Sequence, residues 1–191
     1  MARVTAARCD NEHMAAARHK PSRLYFAYGS NLYRPQMRCD SPDSELARRQ
    51  RLNRCPDSEP LAPYVLSGFR LAFVGERSQR WGRGGVATVI PAAGCLVHGA
   101  LYRISALDEA ALDRAEGVAQ GSYYKDQTTI GYEGEPVLMY VATAALSPEN
   151  KPSALYLETI RAGYKQWGLP LGALDGIEAW PAESDPPSAA D

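Results

Sequence analysis

A short segment near residue 30 has the residue types that bind an oxygen-bearing group. The apolar run 24–27 leads directly into Tyr28, Gly29, Ser30 and Asn31. An extended run that ends in a glycine turn, with a hydroxyl and a carboxamide next, makes a loop whose backbone N–H groups can converge on one oxygen. This chemistry is the binding of a carboxylate or a carbonyl oxygen. The same residue types are common in ordinary turns, so the segment alone leaves both interpretations open.

A carboxylate at a helix end is the second candidate for chemistry. Ser105 and Asp108 have the spacing of a capping box, and the Ala- and Leu-rich sequence after them predicts a helix that stops at Gly117. Glu116 is then the last polar residue of this helix, where the negative end of the helix dipole disfavours a charged carboxylate. Such a group is suited to proton transfer near neutral pH, but a surface glutamate without function fits the same position.

The cysteines and histidines give little support for metal or thiol chemistry. The four cysteines are widely spaced and form no CxxC pair: Cys9, Cys39, Cys55 and Cys95. Cys9 and His13 are four residues apart, but they lie in a segment that we expect to be disordered. A catalytic cysteine needs a histidine base, and His98 lies in a pattern typical of a strand. We therefore predict no metal site and a structural role for His98.

Length and charge indicate one domain without a strong overall field. The chain has 191 residues, with 21 basic and 22 acidic side chains. This balance favours neither nucleic acid nor a membrane surface. No apolar run approaches the roughly 18 residues that a membrane helix needs, and no apolar stretch follows the basic N-terminal residues. We expect a cytoplasmic protein.

Composition divides the chain into a core and its flanks. Residues 1–22 and 181–191 lack a periodic apolar pattern, and we predict a disordered N-terminal extension and a disordered tail. The segment 40–63, rich in Arg, Pro, Asp and Ser, reads as a surface loop insertion with one helical turn at 45–51. Its arginines could bind an acidic group, although a solvated face explains them equally: Arg48, Arg49, Arg51 and Arg54.

The core between these flanks is rich in short strands. Branched, aliphatic and aromatic runs predict strands at 24–27, 64–74, 86–90, 96–104, 123–130 and 137–143. Residues rich in Gly or Pro predict turns between them at 82–85, 91–94 and 131–136. A second helix begins near Ser153 and stops at Gly168, with an apolar face of Leu157, Ile160, Tyr164 and Trp167. We interpret that face as core packing. The pattern indicates an α+β fold with a strongly bent sheet or barrel flanked by helices.

Four motifs in order connect these features to a known family. They are Tyr28-Gly29-Ser30-Asn31-Leu32, Gly84-Gly85-Val86-Ala87-Thr88, Leu112-Asp113-Arg114-Ala115-Glu116-Gly117 and Gly121-Ser122-Tyr123. In order and spacing they resemble the gamma-glutamyl cyclotransferase family. The similarity continues through Met139-Tyr140 and 164–171, and covers residues 23–180. It implies a small mixed β-barrel flanked by helices as the catalytic domain.

The resemblance also implies a reaction and its requirements. The α-amine of a γ-glutamyl group attacks its own side-chain carbonyl and releases 5-oxoproline and an amine, without a cofactor. Because α-amino groups titrate near 8, the attacking ammonium must first lose a proton, and the departing amine must gain one. Glu116 can serve as general base and then as general acid.

The other motif residues would bind the substrate. The loop N–H groups of Gly29, Ser30 and Asn31 can hold the glutamyl carboxylate or the developing oxyanion. By the match, Tyr28 and Leu32 belong to the same binding loop, and Tyr123 and Tyr140 line the pocket, with hydroxyls that offer donors. For each of these two tyrosines, a half-buried strand aromatic is the alternative.

The substrate class and two other functions stay open at this point. Asn31 followed by Leu32 looks more like the type that acts on γ-glutamyl amino acids, while related enzymes remove a γ-glutamyl group from a protected amine. An acyl-transferring or amide-hydrolysing enzyme on the same scaffold is the first alternative, and a non-catalytic binding module is the second. We expect a small-molecule γ-glutamyl partner, no nucleic acid and no membrane, with a homodimer left open.

Overall fold

The structure is a computed structural model that describes residues 22–38, 55–78 and 80–181. The strands in this part of the chain are β1 (Ser22–Ala27), β2 (Glu59–Val74), β3 (Arg77–Ser78), β4 (Gly82–Arg83), β5 (Val86–Ser105), β6 (Tyr123–Tyr132) and β7 (Glu135–Ala142). The α-helices are α1 (Arg34–Arg38), α2 (Ala106–Ala115) and α3 (Ala154–Trp167). Short 3-10 turns lie at Ser30–Leu32, Val118–Gln120, Ala144–Leu146 and Leu171–Leu174.

A five-stranded mixed sheet in the order β2-β5-β1-β7-β6 forms the core of the molecule. β1 is central, antiparallel to β5 and parallel to β7, and its residues 24–27 are buried. A closed barrel requires the two edge strands to pair with each other. Among the described residues, β2 pairs with β5 and β6 pairs with β7, which leaves the sheet open. The α+β prediction is confirmed, whereas the barrel is not.

The long ribbon of β2 and β5 differs from the predicted short strands. The expected turn at 91–94 is a bulge inside one strand, because Phe69 pairs with Pro91 whereas Ser67 pairs with Leu96. Gly94 adopts a φ of +77° there, which a residue without Cβ tolerates. Bulges of this kind bend a strand without ending it. The bend that the sequence indicated therefore occurs within a continuous strand.

The start of β2 corrects the predicted loop 40–63. Residues 59–63 belong to β2, which begins at Glu59 and pairs there with β5. Pro60 and Pro63 made this segment resemble a loop in the sequence. Proline removes a backbone donor, but an edge strand such as β2 tolerates it, because no other described strand pairs with the outer side of β2.

The two predicted helices are confirmed with their ends. Ser105 caps α2: the Asp108 N–H donates to the Ser105 hydroxyl at 3.1 Å, and the Ser105 N–H donates to the Asp108 carboxylate at 2.9 Å. Gly117 follows in the left-handed conformation, with φ of 65°. Ser153 caps α3, and Gly168 ends it with φ of 64°. Glu116 therefore lies at the C-terminal cap of α2, as expected.

Helix α3 holds the loop 29–33 against the core. Its predicted apolar face, Leu157, Ile160, Tyr164 and Trp167, is buried. The Trp167 indole N–H donates to the Leu32 carbonyl at 2.9 Å. A Cβ on Gly163 would lie 2.5 Å from the Leu32 Cβ, so the helix backbone and the loop are in direct contact. This packing fixes the segment that the sequence marked as oxygen-binding.

Several predictions fall on residues that the structure does not describe. They concern most of the N-terminal extension, the helical turn at 45–51 with its arginines, the Cys9–His13 pair and most of the tail. Ser22 and Pro181 are described, and Ser22 is the first residue of β1. Within the described ranges, no helix is long and apolar enough to cross a membrane.

Candidate active site

A cavity of about 500 Å³ opens where the end of β1, the end of α2 and the start of β5 meet. The segments are in direct contact, because a Cβ on Gly29 would lie 3.1 Å from the Ala87 Cβ and Asn31 hydrogen-bonds Glu116. The predicted site residues that line the cavity are Tyr28, Gly29, Ser30, Asn31, Glu116, Tyr123 and Tyr140. The fold thus unites the loop 28–31 and the Glu116 carboxylate at one concave surface.

Leu32 is a correction to the predicted binding loop. Its side chain is 0% exposed in the hydrophobic core, and it does not line the cavity. Its carbonyl accepts the indole N–H of Trp167. The apolar residue after Asn31 therefore anchors the loop to α3, and we no longer assign it a substrate contact.

The loop also approaches a tyrosine that the motifs did not include. A Cβ on Gly29 would lie 3.2 Å from the Tyr156 hydroxyl, so glycine allows this approach. The Tyr156 oxygen accepts the Ala87 N–H at 3.1 Å, and the nearby groups of Ser30 oppose the rise of the Tyr156 pKa that burial causes. The loop thus passes beside an oxygen that belongs to Tyr156, while the convergence of its own N–H groups on a ligand oxygen stays a prediction.

Asn31 links the loop to the carboxylate of Glu116. Its side-chain NH₂ donates to Glu116 Oε1 at 3.1 Å and to the Tyr25 hydroxyl at 2.9 Å. Asn31 and Glu116 are 85 residues apart in the chain, so only the tertiary fold creates this contact. Glu116 is therefore held at a defined place on the cavity wall, beside the loop that would hold the substrate.

The hydroxyls of Tyr123 and Tyr140 are engaged within the protein. Tyr123 donates to the Ala87 carbonyl at 2.7 Å, and Tyr140 donates to Asp113 Oδ1 at 2.7 Å. A phenol carries only one proton, so neither hydroxyl offers the free donor that the sequence predicted. Both tyrosines line the cavity, but their hydroxyls donate to other groups of the protein.

Comparisons with known proteins show the family of the chain. The model of the AIG2-like family matches residues 96–174. A gamma-glutamylcyclotransferase of Bos taurus is 30% identical over 152 residues, which cover 78% of this chain and 73% of the relative. The chain belongs to the gamma-glutamylcyclotransferase family. A Mus musculus gamma-glutamylcyclotransferase is also 30% identical, over 82% of this chain and 77% of its own. A solved gamma-glutamyl cyclotransferase superimposes with a TM-score of 0.68 at 28% identity, over 83% of this chain and 89% of that one.

Burial keeps the tyrosines of this family member uncharged. It raises the pKa of Tyr25, Tyr28 and Tyr123 well above the ordinary value, and it raises the pKa of Tyr156 to about 12. The pKa of Tyr140 also rises, first through burial and then through its hydrogen bond to Asp113. The nearby Glu116 carboxylate adds to each of these increases. Glu116 is thus surrounded by neutral phenols at physiological pH.

The cationic side chains that line the cavity were not predicted from the sequence. Arg77, Arg80 and Arg114 line it, and Glu116 is the one carboxylate among the described lining residues. Arg114 lies inside the family motif 112–117, and Arg80 shortly precedes the glycine motif 84–88. Their closeness to these motifs could have indicated that both arginines lie near the site. This lining favours an anionic ligand.

In the part of the chain that the structure describes, no group of three or more His, Cys, Asp or Glu side chains is placed to hold a metal ion. His98 lies in β5, as predicted, and its carbonyl accepts the hydroxyl of Tyr164 at 3.2 Å.

Proposed function

We propose that the chain converts γ-glutamyl amino acids to 5-oxoproline and a free amino acid, with Glu116 as the proton-transfer residue. Membership of the family supports a cyclotransferase function. The observation that carries the finer proposal is the hydrogen bond from Asn31 to Glu116, which joins the oxygen-binding loop to a carboxylate across one cavity. No other carboxylate among the described lining residues competes for that role.

The first step of the proposed reaction is deprotonation of the substrate. Glu116 accepts a proton from the α-ammonium, and the amine nitrogen then attacks the γ-carbonyl carbon of the same molecule. A C–N bond forms, the carbonyl becomes tetrahedral and its oxygen gains negative charge. Because both reacting groups belong to one bound molecule, holding it folded removes most of the entropic cost.

The second step breaks the original amide bond. Glu116 returns its proton to the departing nitrogen as the tetrahedral centre collapses and the carbonyl re-forms. The ring nitrogen still carries one proton more than the lactam of 5-oxoproline, and the ionised Glu116 accepts that proton and passes it to the released amine, which becomes an ammonium ion. The five-membered ring of 5-oxoproline and the free amine leave, and no water is consumed. One carboxylate therefore suffices, since it ends each cycle in the form in which it began.

The developing oxyanion would lie near Tyr156. This hydroxyl keeps its proton at neutral pH, because burial raises its pKa to about 12. Its oxygen accepts the N–H of Ala87, so the hydroxyl proton remains to be donated to the substrate oxygen. Donors aimed at the developing charge stabilise the transition state more than the ground state. We assign this position to the carbonyl oxygen, in place of the hydroxyls of Tyr123 and Tyr140.

Product analysis tests the reaction. Incubation with γ-glutamyl-alanine is expected to give 5-oxoproline and alanine in equal amounts, measured by mass spectrometry. Free glutamate as the product would contradict cyclisation and support amide hydrolysis on the same scaffold. Binding of the dipeptide without any product would support the non-catalytic alternative.

The arginines of the cavity predict which amine leaves. Arg77, Arg80 and Arg114 favour a leaving group with its own carboxylate. We expect kcat/KM for γ-glutamyl-alanine to exceed that for γ-glutamyl-ethylamine by about 10–100-fold, the usual worth of a hydrogen bond to a charged group. Equal or faster turnover of the ethylamine derivative would instead support a γ-glutamyl-protected amine as the substrate. The homodimer and the cytoplasmic location stay predictions of the sequence.

A further inference from the structure

A buried glutamine behind the cavity contacts both halves of the candidate site. Gln36 lies on α1, is 0% exposed and does not line the cavity. Its side-chain NH₂ donates to the Ser30 hydroxyl oxygen at 2.7 Å and to Asn31 Oδ1 at 2.8 Å. The two hydrogens of one amide are thus divided between two residues of the oxygen-binding loop.

The bond to Asn31 decides which way the Asn31 amide faces. Because Oδ1 accepts from Gln36, the NH₂ of Asn31 points to Tyr25 and Glu116. The reverse orientation would place Oδ1 against Glu116 Oε1 at the same 3.1 Å separation. Two acceptors repel at that distance when the carboxylate is ionised. Gln36 therefore selects the orientation that gives Glu116 a donor.

The bond to Ser30 holds the loop where it passes Tyr156. Because the Ser30 hydroxyl oxygen accepts from Gln36 at 2.7 Å, the hydroxyl proton of Ser30 is directed away from Gln36. The neighbouring Gly29 is so near Tyr156 that a Cβ would lie 3.2 Å from the Tyr156 hydroxyl oxygen. Gln36 thus fixes the part of the loop that lies beside the candidate oxyanion site.

The side-chain oxygen of Gln36 indicates that this residue does not mainly serve to stabilise the fold. Its Oε1 is buried and accepts no hydrogen bond from the described residues. A buried acceptor without a partner destabilises a fold. A methionine of similar length would fill this position without an unsatisfied oxygen, so the amide is better explained by what its two hydrogens orient.

We propose that Gln36 is a positioning residue, which fixes the donor direction of Asn31 toward Glu116 and holds Ser30 in place in the loop beside Tyr156. The proposal rests on the proposed role of Glu116 in proton transfer. Gln36 acts only through the two loop residues, since it does not line the cavity.

The test begins with Gln36→Met. We expect kcat for 5-oxoproline release from γ-glutamyl-alanine to fall about 10–100-fold, because misplaced catalytic groups cost rates of this order, while KM changes far less. The acid limb of the kcat/KM profile should move to higher pH, since the carboxylate loses an oriented donor. Thr159→Val is the matched control: it also removes a buried side-chain hydrogen bond, to the Leu155 carbonyl, and should lower Tm while leaving kcat and the pH profile unchanged.

A double-mutant cycle separates positioning from general damage. If Gln36 acts through Asn31 on Glu116, the pH shift caused by Gln36→Met should be absent in an Asn31→Ala background. An unchanged kcat in a folded Gln36→Met variant, or the same pH shift with and without Asn31, would overturn the proposal. A Glu116→Gln assay run in parallel keeps the two questions apart. If that variant retains activity, the proposed role of Glu116 fails; if it is inactive and Gln36→Met matches wild type, only the role of Gln36 fails.

Discussion

Replacing Glu116 with glutamine is expected to lower the kcat for 5-oxoproline release by about 10²–10⁴-fold, the usual contribution of general acid–base catalysis. Glutamine has nearly the same shape, and its carbonyl can still accept the Asn31 N–H that now reaches Oε1. The cavity should therefore keep its form and bind γ-glutamyl-alanine. What the variant lacks is a group that takes the ammonium proton and returns it to the leaving amine.

The measurement pairs turnover with binding. 5-Oxoproline is quantified by mass spectrometry, and the affinity for γ-glutamyl-alanine is measured by calorimetry. Glu109→Gln is the control, because it removes another carboxylate from α2 that contacts Lys125 and Arg23 but does not line the cavity. That variant should keep near-normal turnover. A Glu116→Gln enzyme that binds the dipeptide and turns it over at the wild-type rate would show that the proton acceptor is another group.

Replacing Gly84 with alanine is expected to cost about 3–5 kcal/mol in the free energy of unfolding, which is a Tm decrease of roughly 10 °C for a domain of this size. Two effects add at this position. Gly84 has a φ of +126°, which an L side chain rarely adopts, and its Cβ would lie 2.6 Å from the Ser153 N and 2.7 Å from the Lys151 carbonyl oxygen. These are backbone atoms, so the clash cannot be relieved by turning a side chain.

Thermal unfolding of Gly84→Ala beside Gly134→Ala separates the two effects. Gly134 also has a positive φ, of +83°, but a Cβ there would meet nothing within 4 Å. The control should therefore lose only about 1 kcal/mol, from the backbone conformation. Equal losses in the two variants would show that the close approach of residues 151–153 to Gly84 does not limit stability. Since Gly84 lines the cavity, activity should fall with stability.

Much of the local structure could be predicted because its causes are local. The capping box of Ser105 and Asp108, the glycine ends of both helices and the apolar face of α3 depend on residues a few positions apart. The strands were harder to delimit. Prolines at 60 and 63 suggested a loop where an edge strand lies, and the turn expected at 91–94 became a bulge. Both errors have one cause, since pairing with a distant partner decides where a strand continues.

By itself, the sequence determined the family, the α+β class, the position of Glu116 at a helix end and the identity of the loop 28–31. These follow from short motifs and from caps that each act within a few residues. The tertiary structure alone decided how their side chains connect. It buried Leu32, engaged the hydroxyls of Tyr123 and Tyr140, and placed Tyr156 at the loop. Asn31 and Glu116 are 85 residues apart in the chain, yet they form a hydrogen bond. Such a contact depends on the packing of distant segments, which no local sequence pattern specifies.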